Sequence, residues 1–257
     1  SLLINLGGGV ITDMGGFVAS TFKRGIRFVN VPTTLLSMVD ASVGGKTGVD
    51  LGVLKNQIGL FSNPEMVMID MDFLKTVSER EMKSGLAEII KYGFTFDRSL
   101  WDTIKEFKEI DLEVIGSLVY RSVEIKNEVV LQDLLEQNLR KSLNFGHTIG
   151  HAIESYFLES QDKSNLTHGE AIAVGMIVEL YFSTALYQFP SYLTEELKTF
   201  VKDFYGHIDI QESDVESIIK LIKYYKKNVN GKINFVLAKE MEQCVLDVQF
   251  PDELLSK

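Results

Sequence analysis

One cysteine in 257 residues, Cys244, excludes an intrachain disulfide, and that poverty suits a reducing compartment. Positive charge is also short: 26 Lys and Arg stand against 36 Asp and Glu, a formal net charge of -10. A broad nucleic-acid footprint needs clustered basic residues, so the charge argues against that class. A small anionic ligand is not excluded, because a few cations inside a cleft override the global sign. The opening SLLINLGGGVITD has no basic leader and no long apolar run, so no secretory signal is predicted and a cytoplasmic location is expected. The most apolar run, residues 171–181, contains Glu179 and is too short to span a bilayer. Low-complexity tracts are missing as well. The 45% of hydrophobic residues can build a substantial core in one large domain or two modest ones.

Several chemical motifs are absent too. There is no H-E-x-x-H and no C-x-x-C, so the familiar compact zinc signatures are missing. The glycines near the N-terminus do not have G-x-G-x-x-G spacing, and Asp40 stands where a phosphate loop ending in Gly45-Lys46-Thr47 requires its first glycine. A nucleoside triphosphate loop is therefore rejected.

What is present has two textures. Residues 2–6 read as a buried strand running into Gly7-Gly8-Gly9, residues 13–22 as a helix, and residues 27–31 and 66–69 as further strands. Strands alternating with helices predict a parallel α/β sheet. Ser78 with Glu81 has capping-box spacing and opens a helix. Residues 111–131 carry Leu112, Ile115, Leu118, Val119, Ser122, Ile125 and Val129 on one stripe. Helices continue from about 143, 167, 193 and 212, and only 233–237 and about 245–250 read as later strands. The expected fold is the α/β part of a Rossmann-like nucleotide-binding domain over residues 1–76, followed by a mostly α-helical metal- and substrate-binding domain over 77–257. A doubly wound domain has several strands, so a truncated nucleotide domain is the expectation.

Four constellations carry chemistry. Gly7 to Asp13, with Gly15 and Gly16, places glycines between a strand and a helix, where backbone N–H groups approach a phosphate. A tight turn is the plain alternative. Lys46 in the GGKT string, with Lys55-Asn56 nearby, offers cations to an anion or simply a solvated surface. Glu88 and Lys91 are three apart on an apolar helix, an intrahelical ion pair or a pair of site residues. The most specific is Arg140, Asn144, His147 and His151, then Thr167-His168-Gly169-Glu170. His147 and His151 are i, i+4, which stacks two imidazoles on one helical face at metal-ligand spacing. Three of the four histidines fall in this window, while His207 stands apart in a polar segment, as on a surface. Glu170 suits either a ligand or, preferably, a capping box with Thr167. Zinc would need another ligand, and a carboxylate is the natural candidate for an open His₂Glu site. Lys126 lies on the apolar stripe of its helix, so it either snorkels or faces a polar cavity, where with Arg140 it could hold a carboxylate.

Read together, GGGVxxDxxGFVAS, RGxxFxxVPTTLLxxVDxSxGGKT, KNxIGxF, GxAExxK, LNFGHTIGHA and HGExxxxG resemble the phrases of the 3-dehydroquinate synthases, in order and over nearly the whole chain. The resemblance implies that Glu88, His147 and His168 are zinc ligands, with cobalt fitting the same set, and moves His151 to the substrate side. It implies NAD contacts at Gly7, Gly8, Gly9, Val10, Asp13, Thr33, Thr34, Asp40, Lys46, Lys55, Phe73 and Thr76. It assigns Lys46, Asn56, Lys91, Lys126, Arg140, Asn144 and His151 to the substrate, and Arg24 to the phosphate across a homodimer. Lys232 matches a further phosphate-binding lysine. The implied reaction, in the shikimate route to aromatic amino acids, takes 3-deoxy-D-arabino-heptulosonate 7-phosphate to 3-dehydroquinate and phosphate. NAD transiently oxidises a ring hydroxyl, phosphate is eliminated, the hydride returns, and an intramolecular aldol closes the carbocycle.

Departures from the pattern are Gly52-Val53-Leu54 before Lys55, Tyr225 before two lysines, and extra residues within 155–167. The family's chains also begin upstream of Gly7 with much of the adenosine-side contact. Rival readings are another sugar phosphate cyclase such as 2-deoxy-scyllo-inosose synthase, a metal-dependent alcohol or polyol dehydrogenase of the glycerol dehydrogenase type, and a non-catalytic metal-bound remnant. Neither a nucleic acid nor a membrane is expected as a partner.

Overall fold

The computed structural model describes residues 1–51, 54–226 and 233–249; the side chains of residues 51–57, 225 and 226 lie outside that description. Two compact units emerge, one of residues 1–89 and 109–137, the other of 90–108 and 138–257.

The first unit holds a parallel sheet with strand order β1-β2-β5, where β1 is Leu2–Gly7, β2 is Arg27–Pro32 and β5 is Met66–Val67. These are the three expected strands, but β1 is not the buried strand expected: Leu2, Ile4 and Leu6 are 51%, 62% and 58% exposed. Asn5 and Asn30 lie side by side in the register of β1 on β2, and their buried amides hydrogen-bond at 2.9 Å, as buried polar groups must. Helix α1, Gly9–Thr21, begins four residues earlier than its sequence suggests. Extended Gly8 sits at its N-cap, and its carbonyl accepts from the N–H groups of Ile11 (3.0 Å) and Thr12 (3.2 Å). Gly7 thus closes β1, Gly8 caps the helix and Gly9 opens it, with no loop between strand and helix.

A second difference is the antiparallel pair β3 (Lys46–Leu51) and β4 (Leu54–Phe61), in a stretch with no expected strand. Gly44 and Gly45 take φ of 100° and 71° just before β3, a backbone that L side chains resist. Gly45 is further confined: an added Cβ would lie 2.2 Å from Asn63 Oδ1.

Helix α2, Glu79–Thr95, starts as the capping spacing requires, with the Glu81 N–H donating to Ser78 Oγ at 3.3 Å. Helix α3 is Arg98–Ile104. Helix α4, Leu112–Gln132, is capped by Asp111, which accepts from the Glu113 N–H, and it buries Ile115, Leu118, Val119, Ser122, Ile125 and Val129 on the expected stripe together with Lys126. Leu112 departs from that stripe at 37% exposed.

The second unit packs α5 (His147–Glu159), α6 (His168–Tyr187), α7 (Ser191–Tyr205) and α8 (Glu212–Lys226) with the hairpin β6 (Phe235–Glu240) and β7 (Gln243–Val248). Its core gathers Ile149, Ala152, Ile153 and Phe157 of α5, Ala171 of α6, Ile218 and Ile222 of α8, and Phe235 and Leu237 of β6. Helix α6 is longer than the expected apolar run. Among the described residues it alone is long and apolar enough to cross a membrane, and half of its most apolar window is buried inside the protein, as in a core helix.

Candidate active site

Helices α5 and α6 approach closely because glycines face each other. A Cβ on Gly175 of α6 would stand 2.0 Å from the Gly146 carbonyl oxygen and 2.8 Å from the Gly150 nitrogen. Gly146, the N-cap of α5, has φ of 78°, and its N–H donates to the buried Glu179 carboxylate at 2.7 Å. That turn sets the start of α5, and His147 is its first residue. On α6 both bonds of the capping box form: Thr167 Oγ1 accepts from the Glu170 N–H and Glu170 accepts from the Thr167 N–H. Glu170 thus takes the structural role its spacing favoured, and His168 opens the helix.

The result is convergence of three imidazoles. Ring centroids of His147, His151 and His168 lie 5.2, 5.6 and 5.7 Å apart pairwise, and one ligand nitrogen from each falls within 4.8 Å of the others, a group that could hold a metal ion. Tautomers follow from the neighbours. His147 Nδ1 is 3.0 Å from the Phe145 carbonyl oxygen, which can only accept. Nδ1 therefore carries the proton and the lone pair sits on Nε2, as in metal-binding histidines. His168 Nδ1 is 3.2 Å from Glu154 Oε2. These observations fit a divalent ion of borderline softness.

In the same unit Arg140 is almost wholly buried (1% exposed) in the short 3₁₀ turn Leu139–Asn144, which also carries Asn144. Lys91 is equally buried on α2, with its ammonium 4.9 Å from the Tyr92 ring. Desolvation first, with the Glu179 carboxylate nearby, pushes the Cys244 thiol up to about 12, which disfavours the thiolate.

The first unit forms its own polar centre at the carboxyl ends of β1 and β2, where ligands of open α/β sheets bind. The Thr33 N–H donates to the Gly7 carbonyl at 2.9 Å. A Cβ on Gly8 would press on Thr34 at 3.2 Å, and one on Gly9 on Ala41 at 3.2 Å, so a side chain at either position would have to push its neighbour aside by a few tenths of an ångström. Lys126 reaches from α4 to Asp40, donating to its backbone carbonyl and, at 2.7 Å, to its carboxylate. The buried lysine therefore does not snorkel. Lys46 pairs with Glu136. Asp13 lies among these charges. Burial first, then the neighbouring Asp40 carboxylate, raise its pKa to about 7; Asp50 adds to the rise, and Lys126 and Lys46 oppose it.

Other sequence-singled residues fall as follows. Val10, 77% exposed, lies in the first turn of α1. Phe73 and Thr76 lie in the 3₁₀ turn Met71–Thr76, where Thr76 Oγ1 donates to the Phe73 carbonyl at 3.2 Å. Glu88 is fully buried on α2 and belongs to the first unit. Arg24 is exposed on the turn after α1 with φ of 67°. The side chain of His207 is 84% exposed, as expected of a surface residue. Lys232 and the side chains of Lys55, Asn56 and Tyr225 lie outside the described residues. Sequence reasoning missed Glu136 and Glu154. Glu154 had a signal, since it shares the α5 face of His147 and His151 at i+7 and i+3. Glu136 had none, because it sits in an aperiodic turn.

Residues 1–84 match the family model described as 3-dehydroquinate synthase N-terminal, and residues 85–228 match the one described as 3-dehydroquinate synthase C-terminal. The chain belongs to the 3-dehydroquinate synthase family. Among relatives of that name, the protein of Parabacteroides distasonis is 44% identical over 94% of this chain and 68% of its own length. The Helicobacter pylori (strain HPAG1) protein is 42% identical over 100% of this chain and 73% of its own. For the fold, 2-epi-5-epi-valiolone synthase from Streptomyces hygroscopicus subsp. jinggangensis 5008, solved with NAD+ and Zn2+ bound, superposes with a TM-score of 0.88 at 24% identity, over 99% of this chain and 71% of that one. A 2-deoxy-scyllo-inosose synthase complexed with carbaglucose-6-phosphate, NAD+ and Co2+ gives 0.83 at 25% identity, over 98% and 72%.

Proposed function

We propose that this 3-dehydroquinate synthase family member converts 3-deoxy-D-arabino-heptulosonate 7-phosphate to 3-dehydroquinate and phosphate as a carbon–oxygen lyase dependent on zinc and NAD. The observation that carries the reading is the convergence of His147, His151 and His168, with two of the rings oriented through Nδ1. In this reading residues 1–76 belong to the NAD-binding part and residues 77–257 to the part that binds metal and substrate. His147, His168 and Glu88 would hold the ion, and His151 would stand on the substrate side. When bound, zinc supplies Lewis acidity to vicinal hydroxyls and NAD a reversible hydride acceptor.

The chain's own residues bind, orient and neutralise. Gly7, Gly8 and Gly9 with the first turn of α1 cradle a phosphate of the dinucleotide through backbone N–H groups. Thr33, Thr34, Asp13, Asp40, Lys55, Phe73 and Thr76 line its path. Arg140 presents a planar fork to the substrate carboxylate, assisted by Lys91, Lys126 and Asn144. Lys46, Asn56 and Lys232 hold the leaving phosphate, and Arg24 reaches it from the partner of a cytoplasmic homodimer. Geometry and fixed charge are the protein's main contribution to such an elimination.

The test is phosphate release from the heptulosonate phosphate, with Glu88→Ala and His168→Ala as variants. Loss of nearly all turnover in both is expected, and wild-type-like turnover in either contradicts the ligand assignment. Turnover of glucose 6-phosphate in place of the sugar acid would favour an inosose synthase, and net NADH accumulation a dehydrogenase.

A further inference from the structure

We propose that Glu154 is a positioning residue for the metal centre, holding His168 in the tautomer and ring orientation that present Nε2 to the ion; this rests on the metal reading above. The geometry is specific. Helix α5 carries His147, His151 and Glu154 at i, i+4 and i+7, one face of a helix. Two of these side chains belong to the imidazole cluster. The third turns to the imidazole that α6 supplies, with Oε2 at 3.2 Å from His168 Nδ1. Its side chain is only 10% exposed and that of His168 22%. Burying a carboxylate costs free energy unless it is partnered. When ionised, that carboxylate only accepts hydrogen bonds, and His168 then carries its proton on Nδ1 and keeps the lone pair on Nε2.

The two outer histidines are thus oriented by different means. His147 is turned by the backbone carbonyl of Phe145, which accompanies the entry into α5. His168 lies on the other helix, where its orientation relative to α5 needs a cross-helix contact. Glu154 supplies it, and a carboxylate acceptor also makes the imidazole a better donor to a metal than a carbonyl does. A simple ion pair tying α5 to α6 would share the 3.2 Å distance but would leave metal affinity alone.

The test measures Co2+ and Zn2+ affinity of the full chain by competition with a chromophoric chelator, beside thermal unfolding of the metal-free protein. Glu154→Leu removes the acceptor and Glu154→Gln retains one. The expected result is a Kd raised about 10- to 100-fold in the leucine variant, a much smaller rise in the glutamine variant, and a displaced Co2+ d–d absorption in the leucine variant. A leucine variant that melts earlier without metal yet binds metal within twofold of wild type would show a structural ion pair and overturn the proposal. Should that variant not fold, Glu154→Asp, which withdraws the carboxylate by one methylene, decides by the same reading: a raised Kd supports the proposal and an unchanged one overturns it. His168→Ala separates the two levels of inference. If it too binds metal like wild type, the metal reading fails; if it loses metal while the Glu154 variants do not, only the positioning role fails.

Discussion

Replacing Asp13 by asparagine should stabilise the first unit, and only above a definite pH. Asp13 lies among Asp40, Asp50, Lys126 and Lys46, and its pKa stands at about 7 against an ordinary 3.8. A folded state that holds its proton more tightly than the unfolded chain loses stability as pH rises between those two values. Below about pH 4 both states are protonated and Asp13 costs nothing; above about pH 7 the full cost is present. The rise is roughly three pH units at about 1.4 kcal/mol each, or about 4 kcal/mol. Partial solvent access reduces that, and about 2–4 kcal/mol is the working figure. The amide of Asp13→Asn keeps the shape and removes the charge. Urea unfolding followed by far-UV circular dichroism should show wild type and variant close together near pH 4. The variant should gain through the neutral range, and the gap should stay constant above about pH 8. A gap that does not change with pH, or one that favours wild type at alkaline pH, would refute the reasoning. If Asp13 contacts NAD as proposed, NAD affinity should fall in the same variant.

Gly175→Ala tests the helix contact that brings the imidazoles together: the new Cβ must retreat by more than an ångström from the Gly146 carbonyl. A loss of about 3 kcal/mol in urea unfolding is expected, with weakened metal binding, and an unaltered protein would contradict the account of α5 on α6. Asp214 accepts from Tyr156, Lys163 and the Gln211 N–H, and these bonds, the Lys163 one foremost, lower its pKa to about 2. The stability it contributes is complete above about pH 4 and is lost as pH falls toward 2. Asp214→Asn should therefore flatten the acid limb of the unfolding curve, and an unchanged limb would count against it.

The helices were legible because their periodicity and caps are local. Ser78 with Glu81 and the Thr167–Glu170 box each announce a start within one turn of chain. The β3–β4 pair was not. Its sequence is broken by glycines and lacks sustained alternation, and its pairing joins Lys46 to Phe61 across residues that show no hairpin signal. The onset of α1 at Gly9 was hidden because glycine has little helix propensity of its own. At the site, i, i+4 spacing exposed His147 and His151. The arrival of His168, and of Glu154 beside it, depends on how closely α5 and α6 pack, which spacing does not encode. The pairing of Lys126 with Asp40 joins side chains 86 residues apart. Local pattern flagged the buried lysine but could not name its partner.

The central claim is that one divalent ion is held by Glu88, His147 and His168. Anomalous diffraction at the zinc edge, on crystals grown from metal-replete protein, tests it most directly. The account predicts a single strong peak about 2.0–2.2 Å from Nε2 of both histidines and from a Glu88 oxygen. No peak there, or a peak bound through Nδ1 or by other side chains, would contradict it.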